Sequence, residues 1–600
     1  MRTITPADIR FLPPDAAPRT LPCTVCGHPG PHRPRLSVPA LAPPHTPLTL
    51  LDCAGCGSGF YDPPGIRDFS DLDLNRAEFW RAYVEATGGI WETLWPPLAA
   101  LPGAGATLLD VGCGFGFAVD AWRRVRGAEA VGVELAEYGE AGARLLDIPV
   151  HRELLEDCAP LAGRRFDVVY ASEVIEHVPD PRAFVALLAR FVAADGVLVL
   201  TTPCVDYVRR EHTAPALLAT LAPGFHGFLL SPRAFEATAR QSGFTHVDVR
   251  TFGERQVLWA SNRPLTVDPA PDRLRPAYFD YLFRWYAQPD HASPVWQGYA
   301  FRLARDLANT GRVDEAGPVA QALADALVGR FGTVALDPEA TVARAGNLVT
   351  QTDFGDIAPF FLPAYWFTLG TIAQVGAHDA VAAERWYRGA ERLALAAGRT
   401  GLLYFLEALS LVWPARARIA SLALRGGRYG EAVARFSALA RDAHAPSAAH
   451  GHAVATGELI DAEIPRACGE LAALDRWDDA RRVFDAYTAG LAARFPGYRW
   501  TDGAGLAAAL AAPAETVPAD PVYPAFFAAL LDARASPPPA DLAARLSEIV
   551  TLADAQGGHA VHGARLGWYA REARQRFPLL VPPPAPRALF EFSFKLPPQG

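Results

Sequence analysis

Lysine is almost absent from this chain, and there is no excess of positive charge. Only Lys595 occurs, so arginine carries nearly all of the positive charge, and the formal net charge is −9. A protein built mainly to coat nucleic acid usually shows a basic face, so this balance argues against that class and predicts no nucleic-acid partner. Together with abundant alanine and proline, the scarcity of lysine is interpreted as a base-composition bias of the genome.

The chain also lacks the apolar signals that direct a protein to a membrane. Residues 1–20 contain no apolar segment of the kind found in secretory leaders, so none is predicted. Residues 357–377 carry no charge and are long enough to span a bilayer, but they contain Pro359 and Pro363 and lack flanking basic residues. We therefore predict a buried helix there, no membrane span and a cytoplasmic location.

Length and composition indicate several globular domains. The 600 residues are 50% hydrophobic and 20% charged, which is a globular composition in a chain too long for one core. At typical domain sizes, about three to four domains are expected.

A glycine-rich turn between a strand and a helix is the most informative feature that is present. Residues 108–111 predict a buried strand and 117–126 a helix, with glycines at alternate positions between them. Glycine lets the backbone approach a ligand closely, and the amide groups at the start of the helix point toward that ligand. Glu134 ends a second apolar strand, where a carboxylate can accept both ribose hydroxyls. The residues of the turn are Asp110, Gly112, Gly114 and Gly116.

Two other nucleotide-binding patterns are missing from this turn. The dinucleotide fingerprint G-x-G-x-x-G needs a third glycine where Phe117 stands, and no G-K-S/T follows for a phosphate-binding loop. The acid ahead of the turn suits a ligand with an amino group better than a pyrophosphate.

Three later segments extend the pattern. Residues 166–181 contain a strand followed by Glu-x-x-x-His, 196–203 contain another strand, and 226–232 follow at the expected distance. In this order the segments resemble the class I S-adenosylmethionine-dependent methyltransferases over residues 75–262. The resemblance implies an α/β fold with a Rossmann-like, mostly parallel seven-stranded sheet, and S-adenosyl-L-methionine (SAM) as the cofactor.

The resemblance also implies roles for residues around the cofactor. Asp110 and the three glycines of the turn would bind the methionine part of SAM, and Glu134 would bind the ribose hydroxyls. Glu153 or Leu154, after the third strand, would contact adenine, with Glu153 accepting from its exocyclic amine. Glu173 would lie where the methyl group meets the acceptor.

Histidines are the candidates for removing a proton from the acceptor. The methyl group is already activated by the positive sulfur, so in-line positioning supplies much of the acceleration. An alcohol acceptor must also lose its proton, and the pKa of histidine suits that task. We predict His177 and His226 for this role; the alternative for His177 is a structural hydrogen bond. Glu176 is predicted to be solvated, and an aromatic helix at 76–93 to cover the cofactor cleft.

Two C-x-x-C-G sequences lie near the start of the chain. Each turns tightly and directs two thiolates at one point, so two pairs supply the ligands of a tetrahedral structural zinc ion. A disulfide pair or a redox C-x-x-C is the alternative, but neither fits a reducing cytosol without a thioredoxin-like context. The segment has little predicted core, so metal binding would supply much of its folding energy. The predicted Zn²⁺ ligands are Cys23, Cys26, Cys53 and Cys56.

Four-cysteine modules ahead of this kind of domain resemble those of bacterial sugar and glycan methyltransferases, including deoxysugar C-methyltransferases. The C-methyltransferases continue into a second α/β domain. Here strand signals fade after residue 262, and a proline-rich joint leads into helical patterns.

A short unit recurs in the helical half, beginning at Gly311, Gly427 and Asp475. In each copy a turn leads into a helix whose buried face carries a small alanine. The pattern resembles the second helix of tetratricopeptide repeats, although the copies are not 34 residues apart. Antiparallel helical packing without a true repeat is the alternative.

The predicted domains are a zinc ribbon at 1–66, the methyltransferase domain at 67–262, a linker at 263–284, an all-α, repeat-like domain at 285–580 and a proline-rich tail at 581–600. The predicted function is SAM-dependent O-methylation of a saccharide, glycan or small-molecule acceptor. The alternatives are C-methylation of a nucleotide-linked sugar, or a scaffold whose helical domain binds a protein partner.

Overall fold

A computed structural model describes two compact units, one running to Leu422 and the other beginning at Ala423. The predicted tail at 581–600 lies outside the described residues. Those residues are 8–41, 44–64, 79–87, 90–100, 105–210, 212, 214–268, 270–400, 405–442, 457–501, 503–512, 517–518, 520–534 and 539–555.

The described residues contain twelve strands, which form two sheets in the first unit. In chain order they are β1 (Arg10–Phe11), β2 (Arg33–Pro39), β3 (Pro47–Asp52), β4 (Gly59–Asp62), β5 (Leu108–Val111), β6 (Ala130–Val133), β7 (Val150–His151), β8 (Phe166–Ser172), β9 (Val192–Pro203), β10 (Phe228–Leu229), β11 (His246–Phe252) and β12 (Arg255–Ser261).

The larger sheet has seven strands in the order β11-β12-β9-β8-β5-β6-β7. The five strands from β9 to β7 are parallel, and β12 and β11 run antiparallel at one edge. This order confirms the predicted mostly parallel sheet of a Rossmann-like methyltransferase fold. The chain leaves β5 toward β6 on one side and returns to β8 on the other, and ligands bind at the carboxyl ends of the strands where the order reverses.

Among the described residues, seven helices lie between β4 and β11 along the chain, and local sequence signals mark their ends. Asp180 caps α5 by accepting hydrogen bonds from the amides of Arg182 and Ala183, with Pro181 at the first helical position. The predicted helix at 117–126 is present as α3 and a following π turn. The helices are α1 (Phe79–Ala82), α2 (Ile90–Ala99), α3 (Phe117–Ala121), α4 (Glu137–Leu146), α5 (Pro181–Ala189), α6 (Ala214–Leu221) and α7 (Pro232–Gln241).

The smaller sheet joins the cysteine-containing module to the methyltransferase domain. Its strands are antiparallel in the order β1-β2-β3-β4-β10, so a strand from 228–229 completes a sheet begun at the amino end. Buried apolar side chains from both parts form one core behind it, so the module has more core than the sequence predicted. These side chains are Leu36, Val38, Leu48, Leu50, Tyr61, Val205, Val208, Leu217, Leu218, Leu221 and Leu229.

Part of the predicted linker, 263–284, is helical and buried. Helix α8 (Arg275–Tyr286) begins inside it, with a proline at its start. Tyr278 and Tyr281 are fully buried, and the Tyr281 hydroxyl donates to Asp120 at 2.7 Å. One of the prolines that suggested a joint, Pro276, lies at the start of this helix, while its aromatic face packs against the methyltransferase domain.

Further helices complete the first unit, and none among the described residues is long and apolar enough to cross a membrane. The uncharged segment at 357–377 contains α13, whose Tyr365 and Trp366 are buried. The helices are α9 (Pro294–Asn309), α10 (Val313–Phe331), α11 (Pro338–Ala345), α12 (Gln351–Ile357), α13 (Leu362–Thr371), α14 (Ala380–Thr400), α15 (Leu406–Ser410) and α16 (Val412–Arg425), in which the second unit starts.

The second unit is helical in its described residues. Gly490 of α19 lies so close to the Ala440 carbonyl of α17 that a Cβ there would overlap it. The helices are α17 (Tyr429–Asp442), α18 (Gly457–Ala473), α19 (Trp477–Arg494), α20 (Gly503–Ala511), α21 (Tyr523–Asp532) and α22 (Leu542–Ala555).

Each recurring sequence unit lies at a turn between two helices. Gly311, Gly427 and Asp475 have φ of 81°, 75° and 58°, and a helix begins two residues after each. This confirms the helix starts, while a true repeat stays a prediction. The alanines of the three units are fully buried: Ala316, Ala432 and Ala480.

Candidate functional site

The three glycines of the turn after β5 are required by its shape and by its surroundings. Gly112, Gly114 and Gly116 have φ of 69°, 58° and 89°, a region that other residues enter only with strain. A Cβ on Gly112 would lie 2.5 Å from Val174 Cγ2, and one on Gly114 would lie 2.9 Å from the Tyr83 hydroxyl. The turn is therefore a cradle that only glycine can form.

Two further glycines, which the sequence analysis missed, bring helix α4 against this turn. A Cβ on Gly139 would lie 2.6 Å from Glu134 Cγ, and one on Gly142 would overlap the Phe115 carbonyl. The G-x-x-G spacing at 139–142, one helical turn apart, is the signal that could have identified them.

Two carboxyl groups lie in this cradle. Glu134 accepts hydrogen bonds from the amides of Gly114 (2.8 Å) and Ala136 (2.9 Å). Asp110 is 2% exposed, and burial together with the nearby charge of Glu134 raises its pKa from 3.8 to about 8. Burial also raises the pKa of Glu134. Two enclosed acids favour a positively charged ligand, so these residues fit the sulfonium and ammonium groups of SAM.

An aromatic segment that contains a π turn lies over the glycine turn. Where a helix was predicted at 76–93, α1 is followed by a π turn at Tyr83–Thr87, and α2 begins at Ile90; residues 76–78 and 88–89 lie outside the described part. Tyr83 stacks on Tyr138 with ring centroids 5.3 Å apart, and Trp80 stacks on Phe115. The aromatic cover is thus built from α1, the π turn and α4.

The residues predicted near adenine follow β7. Leu154 is 47% exposed, which is unusual for a large apolar side chain, and Leu135 next to Glu134 is 48% exposed. Glu153 lies beside Cys158, whose pKa is raised to about 11 by burial and by this carboxylate. Leu135 was missed by the sequence analysis, since nothing in the sequence showed that it would be left uncovered.

Glu173 follows β8 directly and is held in an ion pair. Its φ of 55° places it in the left-handed region, which is uncommon for a residue other than glycine. One carboxylate oxygen accepts a hydrogen bond from Thr201 Oγ1 at 2.9 Å and lies 3.1 Å from Arg255 Nε. The next residue, Val174, approaches Gly112 of the turn after β5.

Glu176, His177 and His226 form one cluster next to Glu173. Glu176 was predicted to be solvated, which is wrong: it is fully buried, and Oε2 accepts a hydrogen bond from Thr202 Oγ1 at 2.9 Å. Oε1 lies 4.0 Å from His177 Nε2 and 3.9 Å from His226 Nε2. Glu176 is in the same 3₁₀ turn as His177, Ile175–His177, whose geometry points it inward.

The protonation of the two histidines follows from their backbone partners. His177 Nδ1 lies 3.0 Å from the Phe225 carbonyl and His226 Nδ1 lies 2.9 Å from the Thr220 carbonyl. A carbonyl only accepts, so each Nδ1 carries the hydrogen and each Nε2 presents a lone pair. Burial lowers the pKa of His177 to about 4 and that of His226 well below its usual value, so both rings are neutral at pH 7.

The cysteine module contacts the segment that carries His226. Strand β4 pairs with β10, with Phe60 opposite Phe228. Three residues after Phe228, the Ser231 hydroxyl donates to the Cys56 carbonyl at 2.7 Å and accepts from the amide of Ala234 to cap α7. The module is therefore a support for this side of the site.

The four cysteines of the module converge as predicted. Cys23 and Cys56 sulfurs are 3.9 Å apart, and Cys26 and Cys53 sulfurs are 3.6 Å apart. Four sulfurs at about 2.3 Å from one zinc ion would be about 3.8 Å apart in a tetrahedron, so these side chains fit zinc. A hydrogen bond from Cys23 lowers the pKa of Cys56 to about 4, which favours a thiolate.

Comparisons with known proteins match the same region. Residues 80–249 match a family described as methyltransferase domain. The chain is 31% identical to a protein named ubiquinone biosynthesis O-methyltransferase from Ruegeria sp. (strain TM1040), over 28% of this chain and 72% of the relative. It is 31% identical to a protein of the same name from Cereibacter sphaeroides, over 30% of this chain and 77% of the relative.

Solved structures align more weakly. A SAM-dependent methyltransferase from Thermotoga maritima, described as a possible histamine N-methyltransferase, covers 32% of this chain and 98% of its own at 17% identity, with a TM-score of 0.26. A TM-score of this size is too low to support conclusions about this chain.

Proposed function

The chain belongs to the SAM-dependent methyltransferases, and on that premise we propose that it methylates a hydroxyl oxygen of a saccharide, glycan or small-molecule acceptor. The relatives are named O-methyltransferases, which supports oxygen as the attacked atom. Their names also mention ubiquinone biosynthesis, and that pathway is stated only for those relatives.

The cradle after β5 is the proposed cofactor site. SAM supplies a methyl group already activated by its positive sulfur. Asp110 and the turn glycines bind the methionine end, because this is where the buried carboxyl group and the close backbone approach lie. Glu134, held by two backbone amides, accepts from the ribose hydroxyls. Leu135 and Leu154 offer apolar surface to adenine, and Glu153 accepts from its amine.

The observation that carries the proposal for oxygen is the cluster of Glu176, His177 and His226 beside the cofactor turn. Its lone pairs face one point next to Glu173, whose neighbour Val174 touches Gly112. An acceptor hydroxyl placed there meets lone pairs that accept its hydrogen. Holding oxygen, methyl carbon and sulfur in line supplies much of the remaining acceleration.

The four cysteines are the proposed site of a structural Zn²⁺ ion. Their sulfur separations and the turn hydrogen bonds from Gly27 and Gly57 to the carbonyls of Cys23 and Cys53 support it. Four protein ligands leave no open position, so this ion holds the module together and takes no part in methyl transfer.

Calorimetric titration with SAM, comparing Glu134→Gln with Glu140→Gln, tests the cofactor site. Glu140 belongs to the same region but forms an exposed pair with Arg152, so its variant should bind SAM like the native protein. The Glu134 variant should bind at least tenfold more weakly, because a carboxylate–hydroxyl hydrogen bond contributes about 1.5–3 kcal/mol. Equal affinities would contradict the placement.

Transfer of a ¹³C-labelled methyl group from SAM into host extracts tests the attacked atom. The expected product carries the label at an O–CH₃ chemical shift in NMR spectra, and the Glu134→Gln variant should produce less of it at a SAM concentration that does not saturate the variant. A label bound to carbon would favour C-methylation instead.

A further inference from the structure

Three side chains of kinds that bind metals meet in the segment that follows β7. His151 is the last residue of β7, Glu153 lies two residues further on, and Cys158 follows a short 3₁₀ turn at Leu155–Asp157. One ligand atom from each of the three lies within 4.8 Å of the other two. An imidazole nitrogen, a carboxylate oxygen and a thiol sulfur are thus collected in one short stretch of chain.

We propose that His151, Glu153 and Cys158 bind a transition-metal ion, and that Zn²⁺ is the ion they fit best. Zinc accepts nitrogen, oxygen and sulfur ligands at about 2.0–2.3 Å, so two ligands of one ion can be up to about 4.4 Å apart. Small side-chain rotations therefore bring the three atoms into range. A thiolate ligand disfavours Mg²⁺ and Ca²⁺, which prefer oxygen.

Hydrogen bonds fix the backbone at both ends of this segment. The His151 carbonyl accepts from the amide of Glu134 at 3.0 Å. The Cys158 amide donates to the Leu155 carbonyl at 3.4 Å, and the Cys158 carbonyl accepts from the amide of Leu161 at 3.0 Å. Leu155 and Leu161 are buried, which anchors the turn to the core. The ligands are therefore held in place before an ion arrives, and binding needs little reorganisation.

Burial of the thiol makes the cluster depend on a positive partner. Cys158 is 3% exposed, whereas His151 and Glu153 are half-buried. Burial and the neighbouring Glu153 raise the pKa of the Cys158 thiol to about 11, so without a metal the thiol keeps its proton beside the carboxylate. A bound Zn²⁺ replaces that proton, because a coordinating thiol is deprotonated, and its charge offsets both the thiolate and the carboxylate.

The role of this ion rests on the function proposed above, in which Glu153 accepts from the adenine amine. A Glu153 oxygen that is bound to Zn²⁺ has lost much of its power to accept that hydrogen bond. The metal should therefore weaken SAM binding about tenfold or more, which is the contribution of one hydrogen bond to a charged group. SAM must weaken metal binding by the same factor, because the coupling between two binding sites is reciprocal.

Co²⁺, added to the full-length chain, is the probe for the metal site. A weakly chelating resin first removes metal from the open three-ligand site, and metal analysis confirms that the closed four-cysteine site keeps one zinc per chain. Zinc binds such sites more tightly than cobalt, so the added Co²⁺ enters only the open site. A thiolate bound to Co²⁺ gives a charge-transfer absorption band, which binding to surface histidines or carboxylates does not produce.

The native protein should develop this band up to one Co²⁺ per chain, and Cys158→Ser should lose it. His151→Gln should weaken Co²⁺ binding at least about tenfold, since it removes a ligand but keeps the thiol. Glu156→Gln is the matched control, because Glu156 is an exposed carboxylate in the same turn, and this variant should bind like the native protein. Circular dichroism shows whether each variant is folded.

Calorimetric titration with SAM, with and without saturating Zn²⁺, tests the effect on the cofactor. Zn²⁺ should weaken SAM binding about tenfold in the native protein and leave it unchanged in Cys158→Ser. Absence of the Co²⁺ band in the native protein, or an equal band in folded Cys158→Ser, would overturn the metal site. SAM affinity that does not respond to Zn²⁺ would overturn the competition. A native protein that binds the metal but never binds SAM would instead count against the proposed function.

Discussion

Gly116 shows how one missing Cβ can shape the turn after β5. It has φ of 89°, and a Cβ there would overlap Ile148 Cδ1. Gly127 also has a positive φ, 62°, but a Cβ on it would meet nothing within 4 Å. The two positions therefore separate backbone strain from crowding.

We expect Gly116→Ala to destabilise the protein more than Gly127→Ala and to weaken SAM binding. Left-handed backbone strain alone costs about 1–2 kcal/mol, so Gly127→Ala should lose about that and keep its SAM affinity. Thermal unfolding and calorimetry measure both effects. Equal losses in the two variants would mean that the contact with Ile148 is unimportant.

Asp110 makes stability fall as the pH rises. Its pKa is 3.8 in an ordinary setting and about 8 in the folded chain, so between these values the folded state holds a proton that the unfolded state has released. Stability from this group decreases with pH across that window, by up to about 1.4 kcal/mol per pH unit. Asp110→Asn should remove this decrease, so its advantage over the native protein should grow from pH 5 to pH 8.

Thermal unfolding of the cofactor-free protein at several pH values checks this expectation. Glu134, whose pKa is also raised, contributes a decrease of the same sign in both proteins. Melting curves of the two proteins that stay parallel from pH 5 to pH 8 would show that Asp110 is ionised throughout.

At the scale of elements, the pairing of β4 with β10 places the cysteine module against the segment that carries His226. We propose that the acceptor binds on this side of the site. The knuckle at Cys53–Cys56 leads into β4, and β10 follows His226 by two residues. Loss of the module's metal should therefore disturb the histidine cluster before it disturbs the glycine turn.

Replacement of Cys56 by serine tests this dependence. We expect loss of one zinc equivalent and a lower melting temperature, with SAM affinity nearly unchanged. Thr24→Ala, in the other knuckle, removes a buried hydroxyl without a hydrogen-bond partner and should keep its zinc. Metal analysis, scanning fluorimetry and calorimetry measure the three properties. A Cys56→Ser variant with full zinc content would rule out the four-cysteine site.

Secondary structure near the sheet could be predicted because it follows from local pattern. The strand at 108–111, the glycine turn and the helix after it were all identified from residue spacing. The aromatic segment at 76–93 was predicted as one helix because its composition is helical, but the chain passes through a π turn at Tyr83–Thr87. That change places Tyr83 over Gly114, which is a packing effect with no local signal.

At the scale of the whole first unit, Glu85 connects the aromatic cover of the cofactor turn to the helices beyond residue 262. It is fully buried, and Oε1 accepts hydrogen bonds from Arg81 at 3.0 Å and Arg330 at 3.1 Å. Oε2 accepts from the amide of Phe360 at 2.9 Å. These helices thus support the cofactor site.

Glu85→Ala should destabilise the first unit by about 3–5 kcal/mol, because two arginines lose their buried partner. SAM affinity should fall as well, since Tyr83 lies two residues away in the same turn. Glu339→Ala, which removes an exposed pair with Arg392, should leave both properties unchanged. Scanning fluorimetry and calorimetry provide the measurements, and a stable Glu85→Ala variant would show that the cover stands without the helices.

The sequence by itself determined the methyltransferase fold, the glycine turn after β5 and the convergence of the four cysteines. All of these are short-range patterns: a strand, a turn and a capped helix, or two C-x-x-C-G turns. Only the tertiary structure decided the burial of Glu176, its meeting with His226 and the strand that joins the module to residues 228–229. Those contacts join residues about 50 to 170 positions apart in the chain. Residue spacing in the sequence does not predict such contacts, because they depend on how the folded layers pack.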